Sequence, residues 1–229
     1  MTRILAMIKD TKTTHDEQIA RYFDKVAPTW SDIYSENSSR LKHWIDNIFR
    51  SDLFIEFQVI FQEISDLRAK TVLDIGCGCG NYCIAAAKQG CKRVVGIDIS
   101  ASMIKAAQTR AEKEGVGNIC KFIRGSFPNE SLNEVFDYCI AIGVMDYVRD
   151  PAGFLTAMRK HTRTKAVVSF PGRHWLHTPL RKMRYKLVRC PVYFFDRNQV
   201  KGLLITSGFV WTSIIKNPGI GADYLAILS

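Results

Sequence analysis

The spacing of apolar positions along the chain changes near residue 70. Before that point, Ile19, Tyr22, Phe23 and Val26 recur every three or four residues, which places them on one face of a helix that begins at His15 and should stop before Pro28. A second helical region covers roughly Arg40 to Leu67, with no strand pattern inside it. Residues 1–14 are polar, show no sustained period and read as a loose terminus.

From Lys70 the pattern alternates between short β-rich runs and helical stretches. Thr71 to Ile75 reads as a strand ended by glycines, and Asn81 to Gln89 as a helix closed by Gly90. A strand at Arg93 to Ile97 follows, then a helix from Ser100 to Glu114 that Ser100 caps and Gly115 ends, then a strand at Ile119 to Ile123. Val135 to Ile142 is a strand, Ala152 to His161 a helix after Pro151, and Ala166 to Phe170 a strand. After an irregular basic segment, Asn198 to Ser207 reads as a helix stopped by Gly208. Strands Phe209 to Ile215 and Tyr224 to Leu228 flank Asn217-Pro218-Gly219 and should pair antiparallel.

Alternation of this kind predicts an α/β fold, a Rossmann-like three-layer sandwich with right-handed crossovers. Its seven-stranded sheet should be mostly parallel with the last strand antiparallel. The expected organisation is an N-terminal helical lid over residues 1–69, then a ligand-binding domain over 70–229 with a basic insertion at about 171–195.

Composition alters this picture in two ways. The 229 residues carry a formal charge of +10, and all of that excess lies in the last third. Residues 1–150 hold 19 Lys/Arg and 20 Asp/Glu, whereas residues 151–229 hold 13 Lys/Arg and only Asp196 and Asp223 as acids. An anionic or acid-bearing partner suits that asymmetry. The seven cysteines fall largely inside apparent strands and helices, where free thiols serve as small hydrophobes, and this suggests a reducing, cytoplasmic setting. Cys77, Cys79 and Cys83 lack the second ligand pair of a zinc site, so no metal is expected. No stretch has the roughly 20 apolar residues of a spanning helix.

The candidate chemistry begins with Asp74-Ile75-Gly76-Cys77-Gly78-Cys79-Gly80, where the first strand meets the first helix of the sheet. Ligands of open parallel sheets gather at the carboxyl ends of strands, and glycines there let backbone approach them closely. Asp98 ends the second strand 22 residues after Gly76, close to the offset of about 20 at which an acid meets a ribose diol. Charged hydrogen bonds of that kind contribute roughly 1.5 to 3 kcal/mol each. An acid after a strand also serves as a helix cap, and both readings stand for Asp98. A carboxylate at Asp74 would repel a pyrophosphate and favour a cationic or ammonium-bearing nucleoside, which suits S-adenosylmethionine better than NAD.

The motifs resemble those of class I methyltransferases. Val72 to Gly80 is similar to their first motif, Val95 to Ser100 with Met103 to their second, and Lys121 to Phe127 and Phe136 to Val148 to their third and fourth, in the expected order. That resemblance implies S-adenosylmethionine as cofactor. Gly76 and Gly78 would then face its methionine part, Asp98 would hold the ribose, Ile99 and Met103 would pack on the adenine, and Cys77 and Gly143 would join the cofactor contacts. Where most relatives carry an acid after the glycine of the third motif, this chain has Gly125-Ser126-Phe127, so Ser126 and Phe127 become the candidate adenine contacts. Tyr22-Phe23, the strand ending Val167-Val168-Ser169-Phe170 and the late basic region are similar to the magnesium-protoporphyrin O-methyltransferase family, which implies an acidic acceptor.

Candidate acceptor residues follow the fourth strand. Asp146 and Tyr147 are possible contacts or bases, and equally a helix-start acid and a core aromatic. The N-terminal aromatics Tyr22, Trp30 and Tyr34 resemble a lid over donor and acceptor, with ordinary core packing as the alternative. The insertion from Pro171 to Pro191, with Arg173, His174 and Trp175 at its start, would overhang the acceptor pocket. It reads as a grip for an acidic small molecule, an anionic membrane surface or RNA, or as a solvated basic helix. The expected function is methyl transfer to a small molecule, at oxygen, in natural-product or cofactor biosynthesis. RNA methylation and cofactor binding without turnover are the alternatives.

Overall fold

The computed structural model describes residues 15–28, 56–129, 132–173, 177–188, 190–216 and 223–229. Among the described residues two helices, α1 (residues 15–28) and α2 (residues 56–63), precede the sheet. The order is then β1 (Thr71–Ile75), α3 (Asn81–Lys88), β2 (Arg93–Asp98), α4 (Ala101–Lys113), β3 (Cys120–Arg124) and β4 (Phe136–Ala141). It continues with α5 (Pro151–His161), β5 (Thr162–Phe170), α6 (His177–Leu187), α7 (Arg197–Thr206), β6 (Trp211–Lys216) and β7 (Tyr224–Leu228).

The seven strands lie in the order β3-β2-β1-β4-β5-β7-β6. The first five run parallel, and β7 inserts between β5 and β6, antiparallel to both. Strand side chains alternate between faces, so β1 sends Val72 to one side and Leu73 and Ile75 to the other. Val72, Val94 and Ile140 pack with Ile84 and Ala87 of α3, Ile104 of α4 and Ile60 of α2. Leu73, Val95 and Val168 pack with Phe154, Leu155 and Met158 of α5 and with Val200 and Leu204 of α7. Two apolar layers thus sandwich the sheet, as expected of a parallel sheet whose faces are both covered. All seven cysteines are buried and free.

Local signals hold at the helix starts. Ser100 Oγ accepts from Met103 N at 3.1 Å, and Asp196 opens α7 with a reciprocal capping box to Gln199. Three expectations shift. Helix α1 runs through residue 28, so Pro28 is accommodated within the helix rather than lying beyond its end. Strand β5 starts at Thr162, where pairing of Thr162 with Phe136 draws a polar tetrapeptide into the ladder. The basic segment read as irregular contains an eleven-residue helix, α6; its Pro179 sits in the first turn, where backbone N–H groups have no intrahelical partner. Of the second helical region, residues 56–63 are helical; residues 1–14, residues 40–55 and the Asn217-Pro218-Gly219 turn lie outside the described residues. Among the described residues no helix is long and apolar enough to cross a membrane.

Candidate functional site

The carboxyl ends of β1, β2 and β4 open into a cavity of about 1350 Å³. Its floor is the turn after β1, where the N–H groups of Gly76 and Cys77 both donate to Ile97 O, at 2.7 and 3.0 Å. Gly76 has φ 72°, and a side chain there would run into Val144, so only glycine keeps this turn against the β4 loop. Behind the turn, a Cβ on Gly96 of β2 would stand 2.9 Å from Cys77 Sγ, Cys83 Sγ and Phe122. Glycine at that point lets the loop settle onto the sheet.

Asp98 joins the turn to the second strand. Its Oδ2 accepts from Gly78 N and its Oδ1 from Ser100 N, each at 2.9 Å. Each carboxylate oxygen can accept twice, so the group keeps capacity toward the cavity it lines. Burial raises its pKa above the ordinary carboxylate value, opposed by these backbone donors. Ile99, Met103, Ser126 and Phe127 line the same end, and Phe127 is braced edge-on by Phe154 at 5.1 Å. Gly143, with φ 68°, faces the cavity while its N–H donates to Ser169 Oγ at 2.8 Å.

Asp74 is placed differently from the other motif acids. It is 1% exposed and points from β1 toward α3, where Cys83 Sγ donates to its Oδ2 at 3.2 Å. It does not line the cavity. Burial, aided by the nearby Asp98 charge and opposed by the Cys83 hydrogen bond, pushes its pKa up to about 7. Its charge near neutral pH is therefore divided, and it reaches the cavity only as a field through the glycine turn.

The other end of the cavity is aromatic. Tyr147 OH and Tyr185 OH lie 3.1 Å apart, joining the β4 loop to α6. Phe23 of α1 packs edge-on against Tyr147 at 5.1 Å, and Tyr22 packs behind on Tyr185 at 5.6 Å. His15 Nε2 is 3.0 Å from Tyr147 O, and with Asp16, Ile19 and Phe23 it lines the chamber. Helix α1 is also tied to the Asp98 end, because Asp24 Oδ1 accepts from Ser100 Oγ at 2.6 Å and from Ser102 N at 3.0 Å. Asp146 is buried and lines the cavity, its carbonyl accepting from Tyr193 N at 2.8 Å. Burial, with Asp146 and Tyr185 adding, drives the Tyr147 pKa far above its ordinary value, so the hydroxyl keeps its proton.

Most of the expected cofactor set therefore converges: Gly76, Cys77, Gly78, Asp98, Ile99, Met103, Ser126, Phe127 and Gly143 share one cavity with Asp146 and Tyr147. Tyr22 stands behind its wall. Arg173 lies outside it, exposed, with its N–H groups directed at Phe194 O and Asp196. Trp30, Tyr34, His174 and Trp175 lie outside the described residues. Among the described residues no group of three or more His, Cys, Asp or Glu is placed to hold a metal ion. Sequence reasoning missed His15, although it falls one turn before Ile19 on the same helical face. It also missed Tyr185, which falls within the basic insertion from Pro171 to Pro191.

A methyltransferase domain family model matches residues 66–178. The fold superposes on magnesium protoporphyrin IX methyltransferase from Synechocystis PCC 6803, solved with bound SAH, with a TM-score of 0.76 and 20% identity, covering 93% of this chain and 97% of that one. The matched segment is just under half of the chain, and the fold is that of the class I S-adenosylmethionine-dependent methyltransferases. Among curated relatives, the chain is 31% identical over 143 residues to the mitochondrial ubiquinone biosynthesis O-methyltransferase of Schizosaccharomyces pombe, covering 62% of this chain and 50% of that protein. It is 35% identical over 95 residues to the ribosomal protein L11 methyltransferase of Salmonella newport, covering 41% of this chain and 32% of the relative. The chain thus spans half or less of the length of these curated relatives.

Proposed function

We propose that this methyltransferase transfers a methyl group from S-adenosylmethionine to a small, largely apolar acceptor bearing an acidic group, at oxygen. One observation carries the reading: the glycine turn and Asp98 are continuous with an aromatic chamber of Phe23, Tyr147 and Tyr185 that α1 covers. A concave, largely aromatic chamber of this kind fits a small molecule better than a folded macromolecule. The printed names of the Schizosaccharomyces and Synechocystis relatives, an O-methyltransferase and a porphyrin methyltransferase, support the same class.

The residues present fit the donor. Open space above Gly78 and Gly143 would leave room for its methionine part, Asp98 would accept from its ribose hydroxyls, and Ile99, Met103 and Phe127 would offer apolar walls for the adenine. When bound, S-adenosylmethionine supplies an electrophilic methyl carbon on a sulfonium. The chain's own task is alignment and exclusion of water, which together are worth up to roughly 7 to 11 kcal/mol in reactions of this kind. Tyr147, fixed by Tyr185 and kept protonated, donates a hydrogen bond that holds an acidic oxygen rather than removing a proton from it. Arg149, exposed and lining the cavity, offers a cation to the acid group. A carboxylate or phenolate acceptor needs no base.

The test is a turnover screen of carboxylates, phenols, amines and RNA with mass detection of product, paired with SAH calorimetry on Asp98→Ala. Methylated carboxylate or phenol, and an affinity loss of about tenfold or more in the variant, are expected. Methylation of RNA alone, or unchanged affinity in the variant, would overturn the assignment.

A further inference from the structure

Between Pro151 and Asp196 the chain contains no Asp or Glu, and α6 lies at the centre of that stretch. Its eleven residues include Arg181, Lys182, Arg184 and Lys186, with Arg189 just beyond. The helix has two distinct sides. Tyr185 lines the cavity with its hydroxyl against Tyr147. Met183 and Leu187 stand two residues to either side of it, which at 3.6 residues per turn puts each about 160° around the axis from Tyr185 and about 40° from the other. They are 60% and 80% exposed, and Val188 at the helix end is 49% exposed. The remaining large apolar residues exposed among the described ones, Val135, Ile205, Val210 and Ile215, lie outside α6. Lys182 is exposed, its ammonium 5.8 Å from the Phe194 ring centroid.

A basic helix that only faces water has no need of aliphatic residues on its outermost side. Aliphatics among cations, on a helix of low net hydrophobicity, are the pattern of a segment lying in a bilayer interface, with its apolar side chains at the acyl boundary and its charges among lipid phosphates. An RNA grip would instead present aromatic rings for base stacking. The aromatic residue of α6, Tyr185, faces the cavity. Three aliphatics are too few to hold a protein on a neutral membrane, so attraction between the cations and anionic lipid must contribute, at about 1 kcal/mol per Lys or Arg near such a surface.

We infer that the outer side of α6 docks this methyltransferase on an anionic phospholipid surface. Docking there leaves the inner side, with Tyr185, on the cavity. If the proposed methyl transfer also holds, the acceptor class narrows to amphipathic molecules that partition into the bilayer and enter beside α6.

The experiment is flotation of the intact protein with vesicles of phosphatidylcholine alone and of phosphatidylcholine mixed with phosphatidylglycerol in equal parts, at low and high salt. The protein should float with the mixed vesicles only, and release as salt screens the charges. Leu187→Asp, a change at an exposed position remote from the cavity, should lower partitioning roughly tenfold while the melting temperature and SAH affinity stay unchanged. Absence of flotation at low salt, equal flotation with neutral vesicles, or a Leu187→Asp variant that floats like the parent would overturn the inference. So would salt-sensitive binding to a labelled RNA oligomer by a protein that ignores vesicles. The readout involves no methyl transfer, so its failure leaves the activity assignment standing, and the converse also holds.

Discussion

Asp74 shows how one side chain can have the right identity and an unexpected environment. Its position before the glycine turn suggested an open carboxylate facing a cation, but strand alternation turns it toward α3, where it is buried against Cys83. Because burial raises its folded pKa from 3.8 to about 7, the folded state binds a proton that the unfolded chain releases. Stability from this group is therefore complete below about pH 4 and is lost as pH rises toward and through 7. Asp74→Asn keeps an acceptor for Cys83 and removes the titration. Urea unfolding should show the variant gaining on the parent between pH 4 and 7 and holding that lead at pH 8; parallel pH curves would mean that Asp74 does not titrate as described. Asp98 does line the cavity, because its position there rests on an offset along one βα unit. The placements of His15 and Tyr185 were invisible for the opposite reason, since each meets Tyr147 across a large separation in sequence.

At the level of elements, α1 and α6 close the chamber from two sides, and each is attached by side chains rather than by the sheet ladder. Helix α1 is latched to the start of α4 through Asp24. Burial opposes ionisation of Asp24, but hydrogen bonds from Ser100 and Ser102 and the Arg124 charge outweigh it, so its pKa lies below the ordinary value. The latch is intact at neutral pH and weakens as pH falls through that lowered pKa. If α1 acts as a lid, Asp24→Ala should speed proteolytic cleavage within residues 15–28 in the presence of SAH, with SAH affinity lowered several-fold. Equal protection of parent and variant would make α1 a fixed wall. Its amphipathic period was legible because helix faces repeat locally. Helix α6 was hidden, because prolines and an unbroken basic run mask a helix whose one inward aromatic is visible only against Tyr147.

For the whole molecule, the glycine turn with Asp98 and the aromatic chamber share one cavity bounded by the sheet, α1 and the β4 loop. A ligand filling it should stabilise the entire domain. SAH at a hundred times its dissociation constant adds about 2.7 kcal/mol if it binds only the folded state, and the melting temperature should climb with its logarithm; a flat melting curve would mean that the crevice does not bind it. The alternation of β-rich and helical runs determined the class of fold, the positions of seven strands and the turn where glycines and Asp98 meet, because strand period, helix period and turn chemistry act over a few residues. Only the tertiary structure decided that β7 inserts between β5 and β6, that Asp74 turns inward, and that His15 and Tyr185 converge on Tyr147. Those outcomes depend on which apolar faces exclude water together, and the partners in such burial stand far apart along the chain.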